Sequence, residues 1–176
     1  ETRNFGIKIA SGEYIAFCDC DDLWKKTKLD QQIKFMKNLE IDFCFTAYEV
    51  INEQESKIGL RQAQNKLNFD DLIKSCDIGL STVILKKDLF SNPNYRFANL
   101  KTKEDYVLWL KLAKDGILLN GLNENLVSWR KNQNSLSSSV SQKIIDGFKV
   151  YNSYLKFNIF KSIIYLLILS INSVTR

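Results

Sequence analysis

The sequence has no histidine. That absence excludes the Ser-His-Asp hydrolases, the Cys-His proteases and the common zinc enzymes built on imidazole ligands. Proline is nearly missing, with one residue in 176, and glycine is held to seven. So little of either rules out collagen-like repeats and Pro- or Gly-rich linkers. Cysteine occurs four times, at 18, 20, 44 and 76, without a Cys-x-x-Cys pair. This spacing makes neither a zinc motif nor a disulfide framework, and it suits reduced thiols in a cytosolic setting. No apolar run reaches the roughly 18 residues that read as a membrane-spanning helix. The longest, Ile163–Leu169, lies close to the C-terminus. Charge is also modest: 25 Lys and Arg against 20 Asp and Glu give +5. There is no basic stripe of the kind a nucleic-acid binder shows, so no nucleic-acid partner is expected. The excess sits in the tail, where residues 143–176 carry five basic side chains against Asp146 alone.

What is present is apolar material enough for one domain, or one domain and a tail: 45% of residues are hydrophobic and 12% aromatic. Residues 14–18 read as a short buried strand. Apolar residues at Leu29, Ile33, Met36 and Leu39 predict one face of a helix over 25–38. Residues 41–48 predict a second strand, 52–68 a loop, 69–76 a short helix and 81–85 a third strand. Residues 91–103 read as loop, and 104–115 as a helix closed by Gly116. Residues 117–119 and 126–129 predict two more strands. A Ser-rich break at 135–141 precedes one or two helices over 142–171. Strands alternating with helices indicate α/β architecture.

The strongest local signal is Asp19-Cys20-Asp21-Asp22 at the end of the first strand. Period-two alternation would turn Asp19 and Asp21 the same way. Two such charges about 4 Å apart repel by roughly 4 kcal/mol at an effective dielectric near 20. The nearest basic residue along the chain is Lys25, so the cluster needs a cation, a proton or deep solvation. Oxygen ligands without histidine suit Mg²⁺ or Mn²⁺ shared with a phosphate. The competing reading is a solvated turn with Asp22 capping the next helix. An Asp-x-Asp phosphatase is a second candidate chemistry, although Leu23 stands where such enzymes have Thr or Val.

A longer pattern then becomes visible. Arg3-Asn4-Phe5-Gly6, Ala10-Ser11-Gly12-Glu13-Tyr14-Ile15-Ala16-Phe17, Asp19-Cys20-Asp21-Asp22-Leu23-Trp24, Lys28-Leu29 and Gln32 together resemble the middle of a family 2 glycosyltransferase. The resemblance continues at Glu104-Asp105, Leu108-Trp109-Leu110, Asn123-Glu124-Asn125-Leu126 and Trp129-Arg130, and then at Ser135 and Ser137. It covers residues 1 to about 140. It implies a GT-A type fold, an α/β/α sandwich with a mixed sheet. Residues 1–140 would form the catalytic domain and 141–176 a helical, basic and apolar tail. The family's opening strand, helix and second strand have no counterpart here, so the resemblance implies a chain incomplete at its N-terminus.

The same resemblance implies inverting transfer of a sugar from a nucleotide-diphosphate donor, in the making of a bacterial surface polysaccharide or lipopolysaccharide. Asp21 would hold Mn²⁺ or Mg²⁺. Asp19, Arg3, Asn4 and Arg130 would line the donor site. Asp105 would be the general base, and Glu104 would shape the acceptor site. From spacing alone, Thr102 and Asp105 also fit a capping box, and Arg130 fits a solvated strand end. Trp109 reads as core. Val127 stands where processive members carry Gln, which argues against a polymerase. A non-catalytic remnant that only binds partners is a third reading. The acceptor would be a glycan or a lipid-linked sugar, and the location cytoplasmic. The Lys156 and Lys161 segment either packs on the domain or attaches it to the cytoplasmic face of the inner membrane.

Overall fold

The computed structural model describes residues 2–132 and 139–174. Ser135 and Ser137, and most of the expected Ser-rich break, lie outside the described residues. The sheet is built on β3 (Phe43–Ile51), whose aromatic and β-branched residues suit a strand covered on both faces. Its order is β1 (Tyr14–Ala16), β6 (Ile84–Lys86), β3, β7 (Leu119–Arg130), β2 (Leu23–Trp24). β3 and β7 run parallel while the other pairs are antiparallel, which makes the sheet mixed.

Side chains alternate along β3 and divide the core. Phe43, Phe45 and Ala47 face a large cluster with Trp109, Tyr106 and Leu108 from α4 (Glu104–Lys114). Cys44 faces a small cluster with Ile84 and Met36, the latter from α2 (Lys28–Leu39). Helices therefore cover both faces, as the α/β/α expectation required. Trp109 is fully buried and packs edge-on to Phe43, with ring centroids 5.0 Å apart.

Four local expectations need correction. The helix over 25–38 exists as α2 with Met36 buried as expected, but Leu29 and Leu39 are exposed, and Lys28 and Gln32 are buried in their place. Hydrogen bonding set that rotation: Gln32 Nε2 donates to the carbonyls of Thr82 and Cys44. The loop over 52–68 contains β4 (Lys57–Arg61), paired with β3, and β5 (Lys66–Leu67), paired with β7. The strand over 81–85 is shorter, since Leu80–Thr82 form a 3₁₀ turn before β6. The two strands at 117–119 and 126–129 are one, β7, interrupted by a bulge at Asn123-Glu124. The polar residues there read as a break, yet their side chains replace lost ladder bonds. Asn125 Oδ1 accepts the Glu49 N–H, and Asn123 Oδ1 accepts the Ala63 N–H. Gly121, just before the bulge, lies so close to the Gln64 carbonyl that a Cβ would come within 2.0 Å of its oxygen.

The core runs across the boundary expected at residue 140. α5 (Val140–Lys149) continues through a π-helical turn (Val150–Tyr154), and α6 (Ile159–Val174) folds back on it. Val150, Tyr151, Leu155 and Leu169 belong to the large cluster. Gly147 lets the two helices close up, since a Cβ there would stand 2.8 Å from Leu166 Cδ1.

Candidate active site

The strand that leads to the acidic cluster ends at Ala16, and the backbone turns, with the Asp22 N–H donating to the Asp19 carbonyl. Strand alternation therefore does not extend to Asp19 and Asp21, and the two carboxylates take different partners. Ser81 braces the turn: its hydroxyl accepts the Asp19 N–H at 2.9 Å, and its carbonyl accepts the Trp24 indole N–H at 2.8 Å.

The missing cation is Arg3, on α1 (Thr2–Ile9). Its Nη2 donates to Asp19 Oδ1 at 2.8 Å, and its Nη1 donates to Glu104 Oε1. Burial works against the Arg3 charge, but the two carboxylates outweigh it and hold its pKa above the usual arginine value. Arg3 thus ties the first acidic motif to the second. Asn4, beside it, donates to and accepts from the backbone of Phe97. These two bonds hold α1 in place beside Phe97.

Asp21 Oδ2 accepts from Asn132 Nδ2 at 2.7 Å, and the Asp21 carbonyl accepts from Arg130 Nε at 3.0 Å. The rest of the Arg130 fork points elsewhere. Its Nη1 donates to the carbonyls of Asn52 and Glu53, and its Nη2 pairs with Glu55. Arg130 also lines the acidic cleft, and these contacts exclude a solvated strand end. Arg130 clasps the β3–β4 turn and the Asp21 backbone. Asp22 caps no helix, because α2 starts only at Lys28. Its Oδ1 accepts the Arg130 N–H, and its buried Oδ2 has no hydrogen-bond partner among the described residues. Burial lifts its carboxyl above the usual range.

The second acidic pair opens α4. The capping box is absent, since Lys103 is the N-cap in a left-handed conformation. Thr102 instead gives its N–H and hydroxyl to Asp146 Oδ2, at 2.9 and 3.0 Å. The Asp105 carboxylate accepts the adjacent Tyr106 N–H. Burial, reinforced by the Glu104 charge, pushes the Asp105 pKa up to about 6. Asp146 moves the other way. Burial alone would raise it, but Thr102, Gln142 and Lys149 outweigh that and hold its carboxyl below the usual range. A lowered folded pKa stabilises the fold above the ordinary carboxylate range, and the contribution is lost as pH falls through the lowered value. Asp146→Asn is therefore expected to lower stability at neutral pH by about 1–3 kcal/mol. The difference from wild type should shrink below about pH 4. Urea unfolding at both pH values checks it.

All these pieces meet in one cleft of about 700 Å³, lined by Arg3, Asp19, Asp21, Asp22, Glu104 and Asp105 among others. Sequence reasoning missed several of its walls. Asn132, Lys131, Lys103 and Lys143 also line it. Only the Lys and Asn adjoining recognised motifs offered any signal for them. Among the described residues no group of three or more His, Cys, Asp or Glu is placed to hold a metal ion. The cleft instead offers one or two carboxylates, Asp21 and the orphaned Asp22 oxygen. That number fits a hard cation which keeps several waters and is shared with substrate phosphates.

Residues 1–93 match the family model described as glycosyl transferase family 2. The chain is similar to the UDP-Glc:alpha-D-GlcNAc-diphosphoundecaprenol beta-1,3-glucosyltransferase WfgD of Escherichia coli. The two are 35% identical over 156 residues, which cover 88% of this chain and 60% of that protein. The putative teichuronic acid biosynthesis glycosyltransferase TuaG of Bacillus subtilis (strain 168) is 35% identical over 138 residues, covering 78% and 54%. The chain thus spans between 54% and 60% of the length of these two relatives. Among solved structures, S. aureus TarS 1-349 in complex with UDP-GlcNAc superposes with a TM-score of 0.69 at 18% identity. The match covers 93% of this chain and 49% of that one, a likeness of fold.

Proposed function

The chain belongs to glycosyl transferase family 2, and from that premise we propose that it transfers a sugar, with inversion, from a nucleotide-diphosphate donor to a lipid-linked acceptor in bacterial surface-glycan synthesis. One observation carries the reading. Arg3 bridges Asp19 to Glu104, and this draws two acidic motifs from distant parts of the chain onto one cleft. Family membership sets aside the Asp-x-Asp phosphatase. The acceptor class follows the WfgD relative, which is named for a diphosphoundecaprenol-linked substrate.

Asp105 accepts the proton of the attacking acceptor hydroxyl. A carboxylate with a pKa of about 6 is mostly ionised at neutral pH and is still basic enough to share that proton in the transition state. Glu104 keeps the Asp105 pKa high and anchors Arg3, which in turn orients Asp19 at the donor side. Asp21 and Asp22, steadied by Asn132 and Arg130, are the residues that would hold Mn²⁺ or Mg²⁺. When bound, such an ion offsets the charge that develops on the leaving diphosphate. The test is nucleoside diphosphate release by the full-length enzyme over a panel of nucleotide sugars, with and without lipid-diphosphate sugar acceptors. Acceptor-independent release alone, or retention of anomeric configuration in the product, would overturn the proposal.

The same reading places the enzyme peripherally at the cytoplasmic face of the inner membrane. No helix among the described residues is long and apolar enough to cross a membrane. However, α6 leaves Phe160, Ile164, Leu167 and Ile171 exposed at helical spacing, with Lys161 beside them. Phe160→Glu combined with Leu167→Glu is expected to remove flotation with anionic liposomes, since each lies on the exposed stripe. Unchanged flotation would exclude α6 as the contact.

A further inference from the structure

The polar cleft does not stop at α4. Past Cys76, Lys103 and Lys143 it opens into a second hollow of about 540 Å³ between α5 and α6. That size falls within the roughly 300–1,000 Å³ usual for small-molecule sites. Its walls include Val140, Ile144, Leu166 and Leu169, with Ser170 and Asp77 at the edge. Val140 and Ile144 are 69% and 49% exposed, an apolar surface that nothing among the described residues covers.

The border between the hollows is cationic. Lys103 and Lys143 line both, and Lys131 lines the cleft close by. The groups that set the Lys143 pKa are burial and the like charges of Lys103 and Lys131, all of which lower it. Lys103 also faces the Asp105 charge, and an anion bound at this border would be shared by the lysines. The hollow beside them is short of an apolar filler. One amphiphile would fit both. Its anionic head would lie at the lysines, its sugar toward Glu104 and Asp105, and its chain between the helices.

We propose, resting on the glycosyl-transfer reading above, that the groove between α5 and α6 is the subsite for the apolar chain of a polyisoprenyl diphosphate-linked acceptor, with Lys103 and Lys143 holding its diphosphate. Continuity with the cleft sets the register: a sugar on that diphosphate reaches the acidic pair at the start of α4. It also explains why the basic and apolar residues of α5 and α6 adjoin a nucleotide-sugar fold.

The test is direct binding to the full-length protein by calorimetry in detergent, with farnesyl diphosphate, inorganic diphosphate and farnesol as probes. Farnesyl diphosphate should bind at least about tenfold more tightly than inorganic diphosphate, a margin that burial of only about two methylene groups supplies. Val140→Glu and Ile144→Glu each alter an exposed position, and each should erase that margin. Lys103→Ala combined with Lys143→Ala should weaken both diphosphates and leave farnesol unchanged. Equal binding of the two diphosphates by the wild-type protein would overturn the proposal. So would an unchanged margin in both glutamate variants, provided circular dichroism shows them folded. Acceptor-dependent release of nucleoside diphosphate from a nucleotide sugar judges the transferase premise separately. Such release with no farnesyl margin defeats the subsite alone, and no acceptor-dependent release with any nucleotide sugar defeats the premise.

Discussion

Replacing Asp105 by asparagine is expected to cost about 10²–10⁴-fold in turnover while donor affinity is kept. The loss falls on turnover because deprotonation of the acceptor belongs to the transition state and not to donor binding. The fold should survive. Asn has the same shape, and its carbonyl can still accept the Tyr106 N–H that Asp105 accepts now. The wild-type pH profile supplies a second measurement. With the Asp105 pKa pushed up to about 6, turnover should fall as pH drops through that value, because the protonated acid cannot take a proton. Glu104→Gln sharpens the test. The Glu104 charge is one of the forces that raise the Asp105 pKa, and removing it also frees Arg3 to lower that pKa further. The acid limb should therefore move to lower pH, with a smaller loss of turnover than in Asp105→Asn. Steady-state transfer by the full-length enzyme at saturating donor, measured across pH 5–8, reads both effects. Near-normal turnover in Asp105→Asn would leave the residue as a helix-terminal carboxylate and put the base elsewhere.

The second large effect is expected at Asp21. Asp21→Asn removes a carboxylate that would hold the cation, while the Asn132 and Arg130 contacts around it can persist through the amide and the backbone carbonyl. Loss of a supporting residue typically costs about 10–100-fold in metal affinity, so loss of the ligand itself should cost at least about 100-fold. Asn132→Ala, which removes only the hydrogen bond to Asp21 Oδ2, is expected within the lower range. Titration of Mn²⁺ in the presence of a nucleoside diphosphate gives both numbers. Unchanged affinity in Asp21→Asn would take that residue out of the metal site.

Much of this site was legible in the chain, though for unequal reasons. The acidic motif and the pair at 104–105 stand out because carboxylates bunched beside apolar runs are costly unless something answers their charge. The absence of histidine removed imidazole from the candidate ligands at the acidic cluster. The alternating pattern of β3 and the apolar run of α4 foretold an α/β core, with Trp109 inside it. Local patterns failed where a distant partner intervened. The capping box at Thr102 looked complete over four residues, but Asp146 offered the buried N–H and hydroxyl a charged acceptor. The apolar stripe of α2 looked like its buried face, but Gln32 bonded the sheet backbone and turned Leu29 outward. Arg130 and Asn4, expected at the donor site, also bond backbone carbonyls contributed by other segments, which no local pattern could show.

What the sequence determined by itself is therefore the class of the fold and the two acidic motifs, because composition and short-range periodicity are properties of the chain alone. Only the tertiary structure decided which charges are answered and by what. Arg3 reaches Asp19 and Glu104, Asn132 reaches Asp21, and Lys103 and Lys143 meet where the cleft opens into the apolar groove. Charge and hydrogen-bond pairing act over a few ångströms of space, however many residues of chain lie between the partners.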